Sequence, residues 1–291
     1  MQDALLALPL LDKGAGQMLV IGDHRQLGPV EKGPAAGDRR YLVRKHRPYM
    51  SLYDFIAQWV KPEALSYTFR LQEDAWRLIA PIYALDGVRI QGRSRERAHP
   101  MDVTKLLDGT DWEGICLLTY DPVPWKGDDK INPIEIAITK KLKETASAAI
   151  LKNTVVLSPF KDQDELMAIS DFGGTVNSMQ GSEQDTVIYC AAGTGASLAR
   201  SEEFILDLKR ANVAMSRSKQ RLIIIAASDL LDYTPSSPEG YEFMLLWKYL
   251  RKYASRSLIG SPFTVSFQPD EDIEETKEIE VRALAPAKRT D

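Results

Sequence analysis

From residue 115 onward the chain alternates short, continuous apolar runs with longer stretches of helical spacing. The runs are ICLLTY (115–120), TVVLSP (154–159), TVIYCAA (186–192) and RLIIIAA (221–227). Between and after them the spacing predicts helices over 132–150, 161–170, 201–215 and 241–253. A strand that is apolar on both faces has to be covered on both, and a helical crossover between such strands returns the chain parallel to itself. The pattern therefore predicts an α/β fold: a parallel sheet with flanking helices.

Upstream the signals are more mixed. Residues 4–11 have helical spacing closed by Lys13-Gly14, and MLVI (18–21) running into Gly22-Asp23 predicts a further buried strand. Residues 31–50 read as an exposed loop. Ser51 is placed to cap a helix through Trp59, with Leu52, Phe55, Ile56 and Trp59 on one face. A second helix is expected over 73–84, ended or kinked at Pro81. The polar, Arg-rich stretch 87–112 reads as a surface excursion. The end of the chain, QPDEDIEETKEIEVRALAPAKRTD, is strongly acidic before a small basic end, and 261–291 is expected to be a flexible tail or a loosely packed edge. No internal repeat is present.

Composition narrows the function classes. The net charge of −4 argues against coating nucleic acid by bulk electrostatics, though not against gripping a strand in a narrow basic groove. No run approaches the ~18 apolar residues of a membrane span, so no membrane partner is expected. The start of the chain carries Asp3 and no basic region, which disfavours a signal peptide. Cys116 and Cys190 lack metal-ligand spacing and read as buried hydrophobes in a reducing compartment, so a cytoplasmic protein is expected. His24, His46 and His99 are scattered, and no metal site or nuclease-type cluster is discernible.

Five short blocks carry the chemistry. GDHRQLGPV (22–30) delivers Asp23 and Gln26 into a turn; a Gln there can bond a phosphate oxygen or an attacking water, or simply belong to a polar turn. YTFRLQ (67–72) sets Phe69 beside Arg70, a ring to stack on a base and a guanidinium to fork onto phosphate, although a Phe is more often core. LSPFKDQ (157–163) ends a strand in Ser158, whose hydroxyl could hold a phosphodiester. GTVNSMQGSEQDTVI (174–188) gathers Thr175, Gln180, Gly181 and Glu183 in a tight loop. RANVAMSRSKQRLIIIA (210–226) sets Arg210 and Arg217 seven residues apart, about two helical turns, on one face of a helix that is otherwise small and apolar.

In this order the blocks resemble superfamily 1 helicases of the 5′-to-3′ branch, the group of the nonsense-mediated-decay, immunoglobulin-mu-binding and DNA-end-processing helicases. GDHRQLGPV looks like motif III, YTFRLQ motif IV, LSPFKDQ the block before motif V, TVNSMQGSEQDTVI motif V and RANVAMSRSK motif VI. The resemblance covers about 20–230. It implies two RecA-like domains with ATP in the cleft between them: residues 1–64 would be the end of the first and 65–260 a complete second one. Gln26 would meet the γ-phosphate or its water, and Arg70 and Arg217 would reach it from the second domain, Arg217 as the arginine finger. Phe69, standing where the family usually has Tyr, would stack on adenine. Glu183 would bind the ribose, with Gln180 and Gly181 shaping its loop. Ser158 and Thr175 would hold the nucleic-acid backbone, and Asp23 and Arg210 would serve coupling.

Two departures matter. A phosphate-binding loop G-x-x-x-x-G-K-[ST] and a strand-borne Asp-Glu for Mg²⁺ are missing; the Asp164-Glu165 pair lies within a predicted helix. The resemblance places the missing Asp-Glu just upstream of Met1. The expectation is thus a second motor half, inactive alone, whose ATP and Mg²⁺ are held mainly by a missing first-domain segment, in cis or on a separate chain. A piece of a longer protein, a split gene and a degenerate protein reused for binding would each account for this. An ATP-driven helicase on single-stranded DNA or RNA competes with a non-catalytic nucleic-acid- or protein-binding module descended from one.

Overall fold

The computed structural model describes residues 16–28, 41, 50–93, 105–108, 111–163, 173–179, 181–254, 257–270, 272 and 274–286. The chain divides into two units, Met1–Leu65 and Ser66–Asp291.

In the first unit Ser51 starts helix α1 (Leu52–Ala57) by accepting a hydrogen bond from the Asp54 N–H. The helix stops earlier than its apolar spacing suggests, and Trp59 lies beyond it, 78% exposed. The expected strand at 18–21 does not form. Leu19 and Ile21 are more than four-fifths exposed, and the segment has no ladder partner among the described residues. An apolar run becomes a buried strand only when neighbouring strands and a covering layer exist for it, and periodicity cannot see either. The helix expected at 4–11 and most of the 31–50 loop lie outside the described residues.

The second unit opens with two short parallel strands, β1 (Tyr67–Thr68) and β2 (Gln91–Gly92), with helix α2 (Glu73–Ala84) between them in sequence. Pro81 sits inside α2, which runs on to Ala84. The main sheet follows: β3 (Gly114–Tyr120), then helices α3 (Pro133–Glu144) and α4 (Ala148–Leu151), β4 (Thr154–Ser158), β5 (Gly173–Thr175) and β6 (Gln184–Cys190). Helices α5 (Gly195–Ile205) and α6 (Leu208–Met215) lead to β7 (Ser218–Ala227), α7 (Ser228–Asp232) and α8 (Pro238–Ala254). Three more strands close the chain: β8 (Ser257–Leu258), β9 (Phe263–Phe267) and β10 (Lys277–Ala285).

The sheet order is β5-β4-β6-β7-β3-β10-β8, with β9 also on β10. The first five strands are mutually parallel, and β3 and β4 are buried along their whole length. This is the expected mostly parallel α/β architecture. Helices α2, α6 and α8 pack on one another, tied by Asn212 Nδ2 donating to the Tyr83 hydroxyl (3.1 Å) and the Tyr253 hydroxyl donating to Asp74 (2.7 Å).

Several expected elements are revised. The helix over 132–150 breaks at Thr145–Ser147, where the Ser147 hydroxyl caps α4 by accepting from the Ile150 N–H. The helix over 201–215 begins earlier, at Gly195, and breaks at Leu206-Asp207, where Asp207 caps α6 by accepting from the N–H groups of Lys209 and Arg210. Because α6 ends at Met215, Arg217 is not on its face with Arg210. Each break falls where a short polar side chain offers the backbone a cap in place of another helical turn. The excursion over 87–112 is anchored: Leu106, Leu107 and Trp112 are fully buried, and the Trp112 indole donates to the Leu106 carbonyl (3.0 Å).

The acidic end is not a flexible tail. β10 joins the main sheet antiparallel to β3, with Val281 opposite Tyr120 and Ala283 opposite Leu118. Ile279, Val281, Ala283 and Ala285 are buried while Glu278, Glu280 and Arg282 face outward. Net charge hid a period-2 alternation, which is the signal that decides a half-buried strand.

Candidate functional site

Side chains from three of the five blocks sit at the amino-terminal ends of β6 and β7. Glu183 immediately precedes β6, Arg217 immediately precedes β7, and Gln184 pairs with Ser218 across the two strands. Arg70 approaches from the segment between β1 and α2. Its Nε lies 3.6 Å from Glu183 Oε2, and Lys219 Nζ lies 3.1 Å from Glu183 Oε1. All three are about two-fifths exposed, so solvent screens these pairs, and their value is in orientation more than in stability.

The cleft beside them is lined by Phe69, Arg70, Gln72, Arg93, Glu113 and Lys219, among others. Residues 69–72 and Arg93 reach it from the segments that directly follow the paired strands β1 and β2. Gly92 comes so close to α2 that a Cβ there would lie 2.5 Å from the Trp76 ring, and the Trp76 indole donates to the Arg93 carbonyl (3.3 Å). That contact fixes the strand carrying Arg93. Phe69 is 72% exposed, packed edgewise on Tyr67 at 4.7 Å between centroids, with the Arg93 guanidinium 5.9 Å over its ring. Phe69 is therefore a surface platform and not a core residue.

Arg217 does not line the cleft. It is 2% exposed, and its Nη1 donates to the Ser182 carbonyl at 3.5 Å, while its own carbonyl accepts from the Gln184 N–H at 3.0 Å. It thus braces the loop that presents Glu183. Gly181 in that loop has φ +90°, a conformation that favours glycine, with open space around it. Gln180 lies outside the described residues. Arg210 packs against its own neighbourhood: Nη1 donates to the Phe204 carbonyl (2.7 Å), pairs with Asp207 (3.4 Å) and covers the Phe204 ring at 3.8 Å. That arrangement is structural.

Ser158 and Thr175 stand at the opposite, carboxyl-terminal ends of β4 and β5, directly paired across the strands. Ser158 is fully buried, and its hydroxyl accepts from the Phe160 N–H (3.3 Å). Thr175 is half-buried; its hydroxyl accepts from the Ser178 N–H (3.2 Å), and its carbonyl from the Ser178 hydroxyl (2.8 Å). The cleft residues and the Ser158–Thr175 pair occupy opposite edges of the sheet, separated by strands of about 20 Å at ~3.3 Å per residue.

In the first unit Asp23 and Gln26 form one turn. Asp23 accepts from the Arg25 N–H and from Gln26 Nε2, both at 2.9 Å. His24 stacks with Tyr53, whose ring packs so closely on Gly22 that a Cβ would lie 2.6 Å away. His24 is thus a packing residue.

Sequence reasoning missed a buried polar network at the carboxyl-terminal edge. Asn132 caps α3, accepting from the Ile134 and Glu135 N–H groups, and donates to the Tyr120 hydroxyl (2.8 Å). Its own N–H donates to Gln163 Oε1 (2.6 Å). Glu135 turns inward, accepting from the Ala192 N–H (2.8 Å) and the Tyr120 hydroxyl (3.3 Å). Burial pushes the Glu135 carboxyl up to about 8, the Ala192 N–H and Tyr120 bonds holding it lower than burial alone would. Ala192 accordingly has a left-handed φ of 58°, unusual for a residue with a Cβ. The Asn-Pro pair at 132–133 is a legible helix start; that its Glu faces the interior is not.

Residues 124–229 match a family model described as an AAA domain. Among solved structures, an arterivirus nonstructural protein 10 (helicase) in complex with DNA is 18% identical over 76% of this chain and 35% of that one, with a TM-score of 0.31. The same protein in a second crystal structure is 18% identical over 70% and 32%, with a TM-score of 0.32. The PRRSV helicase is 16% identical over 55% and 22%, with a TM-score of 0.27. The chain thus spans about a third or less of the solved chains it matches, and at these TM-scores the likenesses carry no weight below. The matched AAA segment is about a third of the chain, and it holds Ser158, Thr175, Glu183, Arg210, Arg217 and the Asn132–Glu135 network.

Proposed function

We propose that this chain is the second motor half of an ATP-dependent nucleic-acid helicase or translocase of the superfamily 1 type. The observation that carries the reading is the meeting of Phe69, Arg70 and Glu183, from two blocks over a hundred residues apart in sequence, beside one cleft with Lys219. A ring, two cations and a carboxylate suit a base, phosphates and a ribose hydroxyl respectively. In this reading Phe69 stacks on adenine, Glu183 bonds the ribose, and Arg70 reaches the γ-phosphate.

Arg217 acts as the arginine finger once the cleft closes, which requires it to release the Ser182 carbonyl. Gln26 and Asp23 belong to the end of the first RecA-like domain, and Gln180 and Gly181 shape the Glu183 loop. Ser158 and Thr175 grip single-stranded DNA or RNA at the far edge of the sheet, Arg210 supports the coupling helix, and travel is 5′ to 3′, as the motif resemblance implies. Among the described residues no group of three or more His, Cys, Asp or Glu is placed to hold a metal ion. The motif resemblance assigns ATP and Mg²⁺ mainly to a first-domain segment carrying the phosphate-binding loop, and in this reading the chain alone is inactive. No helix among the described residues is long and apolar enough to cross a membrane.

The test joins this chain, in cis or by co-expression, to the genomic segment upstream and measures ATP turnover with and without single-stranded DNA and RNA. Strand-stimulated turnover is expected. Strand binding with no turnover would overturn the motor and leave the non-catalytic binding module.

A further inference from the structure

The segment that presents Phe69 and Arg70 ends in Gln72, a residue to which the motif resemblance gives no role. Gln72 caps α2: its Oε1 accepts from the Asp74 N–H at 2.6 Å. The residue is 8% exposed and lines the cleft, yet its Nε2 is buried and meets no acceptor among the described residues. A buried amide donor left unmade is costly, and such groups mark places where a partner is missing. The cap fixes which end of the carboxamide is used inside the protein, so the end remaining for a ligand is the donor.

The rest of the cleft is consistent in sense. Arg70, Arg93 and Lys219 are donors only, and Glu73, also on the lining, is taken by Arg77 at 2.7 Å. Glu113 is the other acid present. Two cations next to Glu183 suit phosphate. A neutral, buried donor near an exposed ring suits a neutral acceptor, such as a ring nitrogen or carbonyl of a base. The Arg93 guanidinium lies over the Phe69 ring, so a base stacking on that face would displace it.

We infer that Gln72 is the base-reading residue of the cleft, its Nε2 donating to an acceptor atom on a nucleobase stacked against Phe69. The inference rests on the nucleotide reading above and adds to it the group that distinguishes a nucleotide from a bare polyphosphate. A site that buries a donor rejects ligands lacking the matching acceptor, because the donor is then left unpaired.

The test uses this chain joined to the upstream segment, as in the turnover experiment above, titrated with ATP and separately with inorganic tripolyphosphate, with binding followed by calorimetry. Gln72→Ser keeps a good helix cap but is too short to reach the ligand. It should weaken ATP binding by about 5–10-fold, the effect of one hydrogen bond, and leave tripolyphosphate within about twofold. Arg70→Ala should weaken both. Wild-type binding of ATP by Gln72→Ser, or equal losses for ATP and tripolyphosphate, would overturn the base-reading role while sparing the nucleotide site. Failure of the unaltered chain to bind either ligand would overturn the nucleotide reading and this inference with it.

Discussion

Replacing Glu135 by Gln should abolish a specific pH dependence of stability. Unfolded, the carboxyl titrates near 4.5; folded, burial pushes it up to about 8. Between these values the native chain holds one proton more than the unfolded chain. The contribution is therefore complete below 4.5 and is lost as pH rises through 8, at up to about 1.4 kcal/mol per pH step. Summed over the window this is on the order of 5 kcal/mol, or about 10–20 °C in Tm for a domain of this size. Glutamine keeps an oxygen for the Ala192 N–H and offers an NH₂ to the Tyr120 hydroxyl, so the network survives without a titrating group. Thermal unfolding from pH 4.5 to 8.5 should show the unaltered Tm declining and the Glu135→Gln Tm nearly level, the curves diverging most above pH 7. Parallel curves would mean that Glu135 is ionised and satisfied when buried, and the argument from burial would be refuted.

Other expectations follow from the same contacts. In the completed motor, Arg217→Ala should cut ATP turnover by about 10³–10⁵-fold, far more than it weakens nucleotide binding through the Glu183 loop it braces, measured by steady-state turnover against equilibrium binding. Val281→Asp sets a charge in the buried face of β10 opposite Tyr120 and should destabilise the second unit by about 3 kcal/mol or more in urea unfolding; a flexible tail would tolerate it. Gly92→Ala drives a methyl into Trp76 and should cost about 1–3 kcal/mol, with a shift in the indole fluorescence. Asn132→Ala removes a cap and a buried network donor together and should destabilise by about 2 kcal/mol.

The parallel core was legible because its strands are apolar on both faces and bounded by turn residues, so ICLLTY and RLIIIAA admit little else. Helix α2 was legible in its span, although it runs on past Pro81, where an end or kink was expected. MLVI has the same signature as those strands, yet Leu19 and Ile21 are exposed, because a strand's burial is decided by neighbours that its own residues do not encode. The end of the chain failed in the opposite direction: averaging charge over 261–291 concealed the alternation that buries Val281 and Ala283. Of the site, Phe69, Arg70 and Glu183 were readable as motifs and do converge. Lys219 and Gln72 were not readable, since each gains its place from packing between distant segments. Arg217 was readable as a residue type but not as a buried one, because the end of α6 at Met215 is set by the cap residue Ser216.

The two edges of the sheet carry different residues, and what lies between them is stiff. Strands β4, β6, β7 and β3 are hydrogen-bonded side to side and packed to interior density, so one cannot slide past another without breaking a ladder. A displacement at the Glu183 end is therefore carried through the ladder, and across the β4–β5 pairing to Thr175, with little deformation, as in a rod and not a spring. In the motor proposed above, the unit would respond to ATP by tilting as a whole, small rotations at the cleft becoming larger arcs at the far ends of the strands. Amides of β6 and β7 should accordingly be the slowest to exchange in every nucleotide state, with the changes confined to the loops at either end.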